Sequence, residues 1–199
     1  MPSGRTHDRV TLWSLPLVAS LTFARTQSDR LTLLVAGGFL FGGLMFGPDL
    51  DIRSRQYQRW GWLRWMWLPY QRSLRHRSIL SHGPILGTVL RIAYLASWTM
   101  VLGIGAIVGW ATVQQLGGGI ENGQAWAAQI IERAGEGVVR SLYGYPGEWL
   151  ALGLGLEIGA MSHSVCDWGS SLYKRFQKRG WQGISTAKKS KRKKHRRKL

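Results

Sequence analysis

GPDLDIRSRQYQRWGWLRWMWLPYQRSLRHRSILSHGP, residues Gly47 to Pro84, joins two apolar runs and sets two carboxylates at one end and two imidazoles at the other. It opens on the turn Pro48-Asp49-Leu50-Asp51 and closes on His76 to His82, just before the next apolar run begins at Pro84. Between Ile52 and Ser81 lie seven Arg and no acid, with Trp60, Trp62, Trp65 and Trp67 among them. No single helical face accommodates that Trp spacing. Arg mixed with aromatics suits a lipid headgroup region. It also suits single-stranded nucleic acid. The block joins two apolar runs, which favours the interfacial reading.

Four apolar runs surround this block: residues 10–24, 31–46, 84–110 and 149–165. The first is short for a bilayer, since fifteen residues span only ~22 Å of a ~30 Å hydrocarbon core. It also resembles a signal peptide, with a basic start and small residues at Ala19 and Ala24. In the second run, Gly38 and Gly42 form a small-xxx-small pair that permits close helix approach. The third and fourth runs carry one charge each, Arg91 and Glu157, at similar depth, and an ion pair between them is expected. Residues 111–147 are Gly-rich and weakly amphipathic. The expected fold is all-α: a helical membrane protein with about four apolar helices. A soluble bundle using the same runs as its core is the alternative.

Charge orients the chain. The net charge is +17, and residues 174–199 hold thirteen Lys or Arg and no acid. Residues 1–173 are therefore read as the membrane domain and 174–199 as a disordered basic tail, suited to anionic lipid or to RNA or DNA. With the basic segments inside, both termini and the Arg/Trp block face the cytoplasm in a multi-pass membrane protein. That orientation also brings every His/Asp motif to one face. Cys166 is the single cysteine, so no intramolecular disulfide forms.

Four of the five Asp and four of the five His lie in a few short segments. His7-Asp8 comes first, then Asp49 and Asp51, then His76 and His82, then His163 and Asp167. His163 and Asp167 are four apart, so a helix points both to one side. Asp49 and Asp51 flank Leu50 and share a side in an extended turn. Pro84 biases Gly83 away from helix, which sets His82 on a turn at the mouth of the third run. Mixed imidazole and carboxylate donors suit Zn²⁺, Mn²⁺ or Fe²⁺ better than Ca²⁺ or Mg²⁺. The expected ligands are His7, Asp49, Asp51, His76, His82, His163 and Asp167, around one or more ions. Asp8 is the expected general base or orienting carboxylate, and Arg77 the expected anion-stabilising group. Taken singly, each motif also has a bland reading: an ordinary hydrogen-bonded pair, a helix stop, a lipid anchor.

The segments Pro-Ser-Gly-Arg-Thr-His-Asp, Phe-Gly-Pro-Asp-Leu-Asp, Leu-Arg-His-Arg-Ser-Ile-Leu-Ser-His-Gly and His-Ser-Val-Cys-Asp resemble uncharacterised, predicted metal-binding membrane proteins common in cyanobacteria. More distantly, the chain is similar to an inner-membrane metal-dependent hydrolase family under LexA control. Its second motif departs from that family's pattern, with an extra residue between the histidines and Ser78 where glycine is usual. The resemblance implies a metal site and a hydrolytic activity. The leading expectation is a membrane-bound, metal-dependent hydrolase of a phosphoester. A non-catalytic metal-binding sensor or tether, holding lipid or nucleic acid through the tail, is the alternative.

Overall fold

The computed structural model describes residues 4–74 and 78–179, without the side chains of Asp167, 170–172, 174–176, 178 and 179. The described residues are helical and contain no strand. Three long helices, α1 (Gly4–Thr26), α2 (Asp29–Leu44) and α8 (Pro146–Arg179), make the main bundle. α1 continues through Pro16, and Ser28 caps α2 by accepting from the Leu31 amide at 3.3 Å. The two runs thus pack as an antiparallel hairpin joined by two residues.

Glycine decides how α2 meets α8. A Cβ on Gly38 would lie 2.7 Å from the Leu152 carbonyl oxygen, and one on Gly42 would strike the Leu156 carbonyl. From the other side, a Cβ on Gly155 or Gly159 would strike the carbonyls of Val35 or Phe39. Two small-xxx-small pairs therefore interlock, and the helices touch backbone to backbone. The pair in α2 is the one expected from the sequence; its counterpart in α8 is new.

The Arg/Trp block folds into a cap on one end of this bundle. It comprises a 3-10 turn (Pro48–Asp51), α3 (Arg55–Gln58), a longer 3-10 segment (Gly61–Trp67) and α4 (Leu68–Ser73). Trp67 is fully buried among Phe46, Leu50, Tyr57 and Tyr70. Its ring lies 5.9 Å from Phe46 and 5.1 Å from Trp60, both edge-on. The tryptophans of the block are divided between core and surface. Trp67 builds a core and Trp60 packs on it, donating to the Met45 carbonyl at 3.0 Å. Trp62 is 79% exposed, and Trp65 leans on Trp98 of the next long helix.

Three residues, Gly83 to Ile85, separate α5 (Ile79–His82, capped by Ser78) from α6 (Leu86–Leu116). α6 and α7 (Gly123–Gly144) meet where Gly123 lies against Ala111, and Asn122 caps α7. The Gly-rich segment 111–147 is mostly helix. α2 with its following turn (Asp29–Asp51) and α6 are long and apolar enough to cross a membrane. They are two of the four expected apolar helices. α1 and α8 cover the other two runs but carry more charge, Asp8 and Arg9 in one and Glu148 and Glu157 in the other. The boundary expected at 173/174 falls inside α8, which continues to Arg179; residues 180–199 of the basic tail lie outside the described residues.

Candidate metal centre

Four segments bring their His and Asp residues to the capped end of the bundle. His7 lies one turn into α1, Asp49 and Asp51 on the 3-10 turn, His82 at the end of α5, and His163 on α8. The 3-10 turn replaces the extended turn expected here. Pro48 sits at its first position, where a missing N–H costs nothing.

Asp49 is the hub. Its Oδ2 lies 2.9 Å from His163 Nε2, and its Oδ1 faces His82 Nε2 at 3.6 Å. His82 Nδ1 is 3.7 Å from Asp51 Oδ2 and 2.9 Å from the hydroxyl of Ser81. The His7 ring meets the His163 ring edge-on, with centroids 3.7 Å apart. Three imidazoles and two carboxylates therefore converge. Burial grades them: Asp51 has no exposed side-chain surface and His163 only 6%, while Asp49 and His82 are each about one-fifth open. Asp51, His163 and His7 make a floor, and Asp49 and His82 a rim. Among the described residues, no three of these side chains already stand in a geometry that would hold an ion.

His76 and Arg77 lie outside the described residues. Asp167 is on α8 four residues after His163, with its side chain outside the description. Asp8 does not point its oxygens at the imidazoles. Arg59 takes both of them, at 2.9 and 2.7 Å, and Arg55 approaches Oδ2 at 2.9 Å. Arg59 also donates to the Leu44 carbonyl at 2.7 Å, which ties α1 to the end of α2. Both oxygens of this carboxylate are thus engaged by guanidinium groups, one residue along the chain from His7. Arg55 and Arg59 escaped the sequence reading because nothing distinguishes them from five other Arg in the block.

The expected Arg91–Glu157 ion pair is replaced by two separate arrangements. Glu157 accepts from the Ile85 amide at 3.0 Å. Ile85 has φ +63°, a costly conformation for a β-branched residue, so α8 pins the strained entry to α6. Arg91, 1% exposed, instead donates to the Ser81 carbonyl at 2.9 Å and to Thr88 Oγ1 at 2.8 Å.

The donor set is chemically suited to a borderline transition-metal ion, with imidazole nitrogen and carboxylate oxygen mixed and no all-oxygen shell. His7, Asp49, Asp51, His82 and His163 are the described residues that would hold one.

Comparison with known proteins agrees with that chemistry. Residues 2–177 match the model of a family described as uncharacterized metal-binding protein (DUF2227). Over 59 residues the chain is 42% identical to an uncharacterized protein of Aquifex aeolicus (strain VF5). That stretch is 29% of this chain and 41% of the relative, so the chain spans less than half of the relative's length. No solved structure matches.

Proposed function

The chain belongs to the uncharacterized metal-binding protein family DUF2227, and from that premise we propose that it is a membrane-embedded, metal-dependent phosphoester hydrolase. The observation that carries this reading is the convergence on Asp49 of imidazoles from α5 and α8, with Asp51 and His7 beside them. Zn²⁺ is the preferred ion, with Mn²⁺ or Fe²⁺ as competitors for the same donors. A bound ion supplies Lewis acidity toward a phosphoryl oxygen. The chain's own part is to orient. Asp49 aligns two imidazoles, Ser81 fixes the His82 ring, and the Asp8–Arg59 clamp holds His7 against His163. The rim of Asp49 and His82 is the side from which a substrate enters. Arg77 is proposed as the group that meets its anionic charge. The distant similarity to membrane hydrolases under LexA control favours hydrolysis over other chemistry.

The membrane part rests on surface. None of the apolar window of α6 is buried, and Trp13, Leu17 and Leu21 line one exposed face of α1 at four-residue spacing. Apolar surface on that scale calls for a lipid or protein partner. We place the capped end and both termini on the cytoplasmic side, where residues 180–199 can bind anionic lipid or nucleic acid. A non-catalytic metal-binding protein is the second reading, favoured by the engagement of both Asp8 oxygens with Arg55 and Arg59.

Elemental analysis of the purified protein tests the metal. Bound transition metal in the wild type, lost in His163→Ala and His82→Ala, is expected; equal content in all three would refute the ligand assignment. Chelator-sensitive cleavage of bis(p-nitrophenyl) phosphate, absent in His163→Ala, is expected of the hydrolase. Metal without cleavage of phosphodiesters or phosphomonoesters would favour the second reading.

A further inference from the structure

Arg91 is a cation buried in an apolar helix, and it has no role yet in the site. A charge removed from water is costly unless its donors are satisfied, and an apolar side chain of similar volume fills such a place more cheaply. What a guanidinium adds is direction. Nη1 donates to the main-chain carbonyl of Ser81 and Nη2 to Thr88 Oγ1, one turn back on α6. The guanidinium carbon lies 5.9 Å from the centre of the Phe46 ring, and the charges of Asp51 and Glu157 both act on it.

The Ser81 carbonyl belongs to the peptide plane shared with His82. Fixing that carbonyl fixes the plane and the direction in which the His82 side chain leaves the backbone. The Ser81 hydroxyl, 2.9 Å from His82 Nδ1, then sets the ring. Gly87 makes the approach possible: a Cβ there would stand 2.9 Å from the same carbonyl oxygen and 3.3 Å from Arg91 Nη1. α5 is four residues long and cannot hold this orientation by its own hydrogen bonds.

We infer that Arg91 is the positioning residue of the His/Asp centre, holding His82 opposite Asp49 through the Ser81 carbonyl. This deepens the metal-site reading and rests on it for its affinity arm. The test uses the full-length protein with ¹⁵N-labelled histidine. In chelator, with a cooperative melt as the check on folding, Arg91→Gln shifts the His82 imidazole resonances while those of His163 hold. Arg91→Lys, which can still donate to the carbonyl, returns them part of the way. With cobalt(II) added, Arg91→Gln binds at least tenfold more weakly and its d–d absorption changes. Gly87→Ala presses on the same carbonyl with the charge left in place, and it is expected to act alike. It decides the matter if Arg91→Gln does not melt cooperatively. His82 resonances at wild-type positions in a cooperatively melting variant overturn the inference, whatever cobalt does. Wild-type protein that binds no cobalt, with His82 resonances still moved by Arg91→Gln, overturns the metal reading and supports the positioning role.

Discussion

Asp49 and His163 stand 114 residues apart in sequence and 2.9 Å apart in space. The contact exists because each follows a glycine-lined stretch: Gly38 and Gly42 lie on α2, just before the 3-10 turn that holds Asp49, and Gly155 and Gly159 precede His163 on α8. Helix packing sets the distance, and the two side chains complete it.

Asp49→Asn keeps the volume of the side chain and removes its charge. Because Asp49 faces two imidazoles, the substitution is expected to lower metal affinity by at least tenfold, with little change in the metal-free melting temperature. Competition titration against a chromogenic chelator measures it. An affinity within twofold of wild type would remove Asp49 from the ligand set.

Gly42→Leu drives a side chain into the Leu156 carbonyl, and Gly155→Leu does the same to Val35. Overpacking of this kind costs about 1–3 kcal/mol, and more where backbone is the obstacle. Each variant is expected to melt at lower temperature and to bind metal more weakly, since α2 leads into the turn that holds Asp49 and α8 carries His163. A Cβ at Gly153 meets nothing within 4 Å, so Gly153→Leu serves as the control.

Asp8→Asn removes the negative charge and one of the two acceptor oxygens that face Arg55 and Arg59. Both guanidiniums are substantially exposed (47% and 31%), so the stability cost is expected to be about 1 kcal/mol or less. Metal affinity falls modestly, because His7 loses its clamp. A double-mutant cycle with Arg59→Gln in chemical denaturation checks the pairing, and additive losses would count against it.

Tyr70 gives a pH dependence. Burial raises its hydroxyl above the usual 10.0, an effect partly offset by Arg91. The folded protein therefore keeps the proton more tightly than the unfolded chain. Its contribution is fully present below pH 10 and is lost as pH rises from there through the folded value. Denaturant melts from pH 8 to 11.5 are expected to show a steeper alkaline loss in the wild type than in Tyr70→Phe. Parallel curves would exclude this source.

Much of this arrangement is written in local sequence. The apolar runs announce α1, α2, α6 and α8, and the clustering of His and Asp announces which chain segments matter. Gly38 and Gly42 announce a close helix contact, but the partner depends on the register between two distant helices, which periodicity does not encode. Trp60 and Trp67 look like Trp62 and Trp65 in a block without helical period; their burial follows from short 3-10 segments that turn the chain over Phe46. Arg91 is conspicuous in sequence as a lone charge in an apolar run. A rule that pairs opposite charges points it to Glu157, whereas it donates to a main-chain carbonyl and to Thr88, and no charge pattern reveals that carbonyl.

Along the glycine seam α2 and α8 meet backbone to backbone. That seam stands behind Asp49 and His163, whereas the rim of Asp49 and His82 is about one-fifth open. The open side of the centre is thus the side whose histidine a single arginine keeps in line.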